Sequence, residues 1–395
     1  MIPSLRQQFN RDWTPEGYQR FLALIEQHSG VPVQFQHSET PCFLPTALID
    51  KMARYGKELV EQLLANDAYW RDSEAAIPER YRVPNEAAVP LFVQADFGLD
   101  ENLEPKLVEI QGFPSLYAYQ PVMAACYREA YGIDIGLDTL LGGMHLAEYN
   151  TLLGRAIVGD HDPANVILLE IDPGRQKTRC DFAVTEKLFG VRAVDIRELR
   201  KVGNRLWYER DGKPTLVERI YNRAIVDELE RRAIEVPFDF RDDLQVEWAG
   251  HPNWFFRLSK FSLPYFRHVS APQAQFLDRV DRVENPERYV LKPLYSFAGL
   301  GVIVGPTHEE IAAVPAEMRS QYLLQERVNF TPVIETPGGA AKIEVRIMYL
   351  WLEGPQGLEE MRAVNTIVRM GKGAQMGVDH NKNMEWVGGS AGFLV

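Results

Sequence analysis

Residues 289 to 304, YVLKPLYSFAGLGVIV, set a Lys-Pro pair and a glycine-bearing turn between two β-branched runs, and so force the chain to reverse on itself. Lys292 stands at the exit of the first predicted strand. Ser296, Gly299 and Gly301 let the backbone approach an anion closely and offer N–H groups to it, the chemistry of a phosphate-covering hairpin. An ordinary hairpin with a solvated lysine satisfies the same residues. Beyond the second strand, Gly305-Pro306 and Thr307-His308-Glu309-Glu310 predict a turn and a capping-box helix start.

At 395 residues the chain exceeds the size at which one core usually keeps growing, so two or three lobes are expected. With 46% hydrophobic and 25% charged residues the composition is that of a globular protein, and no apolar run approaches the roughly 20 residues of a membrane span. MIPSLRQQFNRDW lacks the apolar core of a secretory signal, which makes the cytoplasm the expected compartment. A net charge of −12 argues against coating nucleic acid but permits a local basic cleft. Small molecules are the expected partners, with no nucleic acid and no membrane, and a homodimer is one assembly open to the chain. Cys42, Cys126 and Cys180 form no C-x-x-C and are expected to be buried thiols.

The chain divides into four parts. Residues 1–85 are predicted helical: Thr14-Pro15 opens a helix carrying Tyr18, Phe21, Leu22 and Ile25, and Leu48, Met52, Leu59 and Leu63 make an apolar stripe from Thr46 to about Asn66. Residues 86–160 contain two predicted strands, 89–97 and 106–110, around a polar turn. Asp96 lies near the end of the first; Glu109 and Gln111 alternate on one face of the second. Three oxygen-bearing side chains of this kind suit Mg²⁺, which is held by one or two carboxylates and substrate phosphates. A solvated hairpin with scattered acids is the plainer alternative.

Residues 161–250 read as a small open α/β sheet: VILLEI, a helix from Thr178 to Phe189, VRAVDI, a run from Leu216 to Tyr221 and a helix from about Ala224 to Ala233. No G-x-G-x-x-G follows its first strand. Residues 251–395 carry a predicted helix from Ala274, the Lys292 hairpin, the strand YLLQERV with Gln325 and Glu326 at its end, and KIEVRIMYLWL with Glu344 and Arg346 on one face. The chain closes on VNTIVRMGKG and WVGGSAGFLV.

Together these pieces resemble the ATP-grasp superfamily, and within it the circularly permuted members such as eukaryotic glutathione synthetase and the synthetase domain of glutathionylspermidine synthase. In most ATP-grasp enzymes the nucleotide lysine and glycine loop come first and the metal-binding hairpin last. Here ADFGLDENLEPKLVEIQGFPSL precedes the lysine and glycine loop, which is the permuted order, and Leu107 to Gln111 with Gly112-Phe113-Pro114 match the permuted families' metal-binding strand. The resemblance implies an α/β ATP-grasp fold with a helical N-terminal part and a small Rossmann-like lobe. It implies that Asp96, Glu109 and Gln111 hold Mg²⁺, and that Lys292 and Lys260 contact ATP phosphates. Ser296, Gly299 and Gly301 would close over them, with Gln325, Glu326 and Val328 along adenine and ribose. The terminal GGSAG is similar to the glycine-rich segment that helps cover such sites.

The sequence departs from the family's pattern at two places. Gln111 stands where the family has Asn, and Gln94 where many relatives have Arg, so Arg369 or Arg346 would have to stabilise charge on the transferred phosphoryl group. The activity implied is ATP-dependent joining of a carboxylate to an amine through an acyl phosphate. Arg219 and Arg223, flanking Tyr221-Asn222, are expected either to grip a substrate carboxylate or to form surface ion pairs with Asp227 and Glu228. A kinase of the same fold and a non-catalytic nucleotide-binding protein remain open alternatives.

Overall fold

The computed structural model describes residues 2–296, 299–373, 376, 381 and 383–395. Of the predicted glycine loop SFAGLG, Phe297 and Ala298 lie outside the described residues.

A five-stranded antiparallel sheet joins segments far apart in the chain. Its order is Gly388–Ser390, Arg362–Gly371, Lys342–Leu350, Phe92–Leu99 and Pro105–Gln111. The Phe92–Leu99 strand is buried along its whole length. That follows from its place inside the sheet with both faces covered, which removes the polar alternation an exposed face would demand. On one side packs the helix Thr46–Leu64, which buries Ile49, Met52, Leu59 and Leu63. The contact is close: Tyr349 Oη donates to the carbonyl of Ala53 at 2.8 Å, and a Cβ on Gly56 would collide with that hydroxyl. The other predicted N-terminal helix spans Pro15–Ser29, with the Thr14 hydroxyl accepting from the Gly17 N–H at 3.1 Å and Gly30 closing it at φ 77°.

A second antiparallel sheet, in the order Ala274–Phe276, Tyr322–Glu326, Tyr289–Pro293 and Ile303–Val304, carries the lysine hairpin. The helix predicted from Ala274 is not formed. Ala274, Gln275 and Phe276 instead pair with Gln325, Leu324 and Leu323, and their burial alternates with the period of two that a strand edge requires. After the hairpin, both halves of the Thr307–Glu310 capping box form at the helix His308–Ala312.

The third sheet is parallel, in the order Glu247–Ala249, Arg219–Asn222, Val166–Glu170 and Arg192–Asp195. The helix Arg179–Phe189 links its last two strands as expected of a βαβ unit. The single predicted run Leu216 to Tyr221 is divided at Glu218. Lys213–Val217 belongs to a three-stranded meander, and only Arg219–Asn222 enters the parallel sheet. The predicted C-terminal closure is also paired: Gly392–Leu394 runs parallel to Cys42–Leu44. All three cysteines are free and buried, and burial pushes each thiol up to about 12. Among the described residues no helix is long and apolar enough to cross a membrane.

Candidate functional site

One cavity of about 530 Å³ is walled by all three sheets. Strand alternation determines what faces it. On the five-stranded sheet, Glu109 and Gln111, Glu344 and Arg346, and Ile367 and Arg369 are each two residues apart and therefore project to the same side, lining the cavity. Register brings them level: Asp96 lies opposite both Glu109 and Arg346, and Glu344 opposite Arg369.

The result is a buried charge network. Arg346 binds Asp96 through Nε to Oδ1 at 2.6 Å and Nη2 to Oδ2 at 2.7 Å, while its Nη1 donates to Gln94 Oε1 at 3.0 Å. Arg369 Nη2 pairs with both Asp96 and Glu344. Burial alone would raise the Asp96 carboxyl, but Arg346 and Arg369 overcome that and hold it below its ordinary range. Glu344 is raised to about 7 by burial and by the neighbouring Asp96 and Glu109, against the pull of Arg369. Glu109 lies 3.8 Å from Arg346 and 3.6 Å from Lys260. The side-chain carbonyl of Gln94 accepts from Arg346 and, at 2.8 Å, from Gln111 Nε2.

Opposite this wall stands Lys292. Its Nζ donates to the carbonyl of Val108 at 3.0 Å and to Gln325 Oε1 at 2.5 Å. Burial, aided by Lys260 and opposed by Glu109, lowers its ammonium to about 8. Lys260 opens the short helix Lys260–Tyr265, held by a Ser259 capping box, and its Nζ donates to the Ser296 carbonyl. Ser296, Gly299, Gln325, Glu326 and Val328 also line the cavity. Gly301 does not. Its φ of 73° and the approach of Pro293 Cγ to 2.9 Å from any added Cβ explain the glycine as a turn residue.

The two arginines expected to grip substrate separate. Arg219 turns away from the cavity, donating from Nε and Nη2 to the carbonyls of Ile157 and Ala156 at 3.0 and 2.9 Å and pairing with Glu247. It closes the end of the helix Leu146–Val158, the side opposite the strand's ligand-facing end. Arg223 lines the cavity, with Nη1 3.1 Å from Asp181 Oδ2 and a buried Nε that has no hydrogen-bond partner. Neither forms the expected pair with Asp227 or Glu228, which pair instead with Arg231 and Arg232.

Glu170 was not anticipated. It ends the strand Val166–Glu170 beside Arg223, at the carboxyl edge of the parallel sheet where open α/β sheets bind ligands. It is 3% exposed, has no ion-pair partner among the described residues, and is pushed up to about 8, chiefly by burial. The one signal available was a carboxylate inside the apolar run VILLEI, which a buried strand does not need.

The donor set can be tested against a metal ion. Both oxygens of Asp96 are occupied by guanidinium N–H groups, whereas Gln111 donates only its Nε2 to Gln94, which leaves its ligating oxygen uncommitted. A cation within about 4 Å of an arginine is opposed by about 4 kcal/mol per unit charge at an effective dielectric constant of about 20. Among the described residues no group of three or more His, Cys, Asp or Glu could hold a metal. Of the expected Mg²⁺ set, Asp96 does not fit a cation in this arrangement, while Glu109 and Gln111 line the cavity. Lys260, Lys292, Arg346, Arg369, Gly299 and the end of the Tyr322–Glu326 strand converge on the same cavity.

No protein-family model and no curated protein matches the chain. Among solved structures it is similar to a glutathione synthetase-like effector, GSS30, from Globodera pallida in its apo form, with 14% identity, a TM-score of 0.62 and coverage of 96% of each chain. The likeness extends over the whole length and shows a glutathione synthetase-like fold.

Proposed function

We propose that this chain is an ATP-dependent carboxylate–amine ligase built on a circularly permuted ATP-grasp fold, with the four-part division of the sequence as its domain plan. The observation that carries the reading is the meeting of Lys260, Lys292 and the 325–328 strand end with Glu109, Arg346 and Arg369 in one cavity, drawn from positions 109 to 369 of the chain. In this reading Gln325, Glu326 and Val328 run along adenine and ribose, and Ser296 and Gly299 cover the phosphates.

Lys292, Lys260, Arg346 and Arg369 neutralise the phosphates. A substrate carboxylate oxygen bonds to the γ-phosphorus as the bond to the β-γ bridging oxygen breaks, giving an acyl phosphate and ADP. The amine nitrogen then bonds to the acyl carbon, inorganic phosphate departs and the nitrogen releases its proton to solvent. Catalysis of this kind needs alignment and charge neutralisation rather than a nucleophilic side chain. No step is assigned to an ion on Asp96.

Arg223 and Glu170 are the groups for the acceptor end of the substrate. The free Nε of Arg223 suits a carboxylate and Glu170 suits an ammonium, so amino acids and short peptides are the first substrates to try. The test is ATP-dependent phosphate release across amino acids, dipeptides and polyamines, in pairs. Release that requires both a carboxylate and an amine, and that is abolished in Lys292→Ala, is the expected result. Release without an amine would make the protein a kinase.

The pairing of Asp96 by two arginines favours a second reading, a nucleotide-responsive binding protein. It predicts thermal stabilisation by ATP with no turnover of any pair.

A further inference from the structure

We propose that the phosphates of the bound nucleotide are held by guanidinium and ammonium groups, with no divalent ion seated on Asp96. The inference rests on the nucleotide reading above and goes against the metal set that the sequence motif suggests. Three carboxylates face or flank the phosphate wall, and each already has a cation. Asp96 has Arg346 and Arg369, Glu344 has Arg369, and Glu109 has Lys260 at 3.6 Å and Arg346 at 3.8 Å. Lys292 adds a fourth cation whose hydrogen bonds go to neutral oxygens, those of Val108 and Gln325. These four cationic groups, with Lys342 on the same strand face as Glu344, outnumber the three carboxylates before any ligand enters.

The geometry of Asp96 is decisive. This carboxylate is 1% exposed, accepts three guanidinium hydrogen bonds on its roughly four lone-pair sites and does not line the cavity. Arg346 spends all three of its nitrogens on Asp96 and Gln94. Arg369 has a buried Nε with no hydrogen-bond partner and lies in the cavity lining. A polyphosphate supplies acceptors for such groups; a divalent cation supplies none.

The substitution of Gln94 for arginine belongs to the same arrangement. Charge that many relatives place on the Phe92–Leu99 strand stands here on the neighbouring strand Lys342–Leu350 and on the strand beyond it, Arg362–Gly371, at Arg346 and Arg369.

The experiment is calorimetric titration of ATP into the full chain, once in excess EDTA and once in excess Mg²⁺. Affinities within about threefold of each other are expected, because the protein's contribution to phosphate binding does not pass through the ion. A second arm uses Asp96→Asn, which releases both arginines from their anion. ATP binding in EDTA should tighten in that variant, and Arg369→Met should weaken it by about tenfold or more. Binding that appears only with Mg²⁺ overturns this inference and leaves the nucleotide reading standing. Binding in neither buffer overturns both. The wild-type comparison decides the matter even if a variant does not fold.

Discussion

Arg346 and Asp96, 250 positions apart in the sequence, face each other across neighbouring strands and join through two parallel hydrogen bonds of 2.6 and 2.7 Å. The pair is buried on both sides, so its worth lies mostly in what its loss would leave behind. Arg346→Met would leave Asp96 with Arg369 alone, and a stability loss of about 3–5 kcal/mol is expected in urea unfolding. A loss below about 1 kcal/mol would mean that the carboxylate is less isolated than its 1% exposure indicates.

Lys292 ties nucleotide affinity to pH. Its ammonium, lowered to about 8, is the form that attracts phosphate, so ATP affinity should fall as pH rises through that value. Lys292→Arg should retain its affinity to higher pH, because guanidinium does not titrate there. For stability the sign is opposite: between about 8 and 10.5 the unfolded chain holds a proton the folded one has released, so this group makes stability rise with pH. Parallel calorimetry and thermal melts across that window separate the two effects.

Glu170 gives a second pH signature. Raised from 4.5 to about 8, it binds a proton in the folded chain that the unfolded chain has lost, so its contribution to stability falls as pH rises through that window. Glu170→Gln removes the penalty. The variant should melt above wild type at about pH 8, with the gap closing toward about pH 5. If Glu170 receives a substrate ammonium, the same variant should also lose discrimination between free and N-acetylated amino acids.

Gly56 tests the packing beneath the site. A methyl group there meets the Tyr349 hydroxyl, which is anchored to the Ala53 carbonyl, so Gly56→Ala should cost about 1–3 kcal/mol despite the better helix propensity of alanine. Gly56→Ala combined with Tyr349→Phe should recover part of that loss. No recovery would place the strain elsewhere.

Local chemistry made much of this protein legible in advance. Thr14-Pro15, the Thr307–Glu310 capping box, the apolar stripe of Thr46–Leu64 and the alternation of Glu344 with Arg346 depend on spacings of two to four residues, and all appear in the structure as expected. The Ala274 segment failed because three residues of a short strand carry no period of their own; their conformation comes from pairing with Leu323, Leu324 and Gln325. Arg219 and Arg223 look equivalent in sequence. One lies at each end of a four-residue strand, and only the end facing the cavity can meet a ligand.

By itself, then, the sequence determined which side chains would share a strand face and which segments could bend around an anion, because backbone stereochemistry acts over a few residues. Tertiary structure alone decided what those faces meet. Asp96 looked like a free carboxylate until the sheet brought Arg346 and Arg369 to it, and charge in a buried site is settled by neighbours that only the fold can supply.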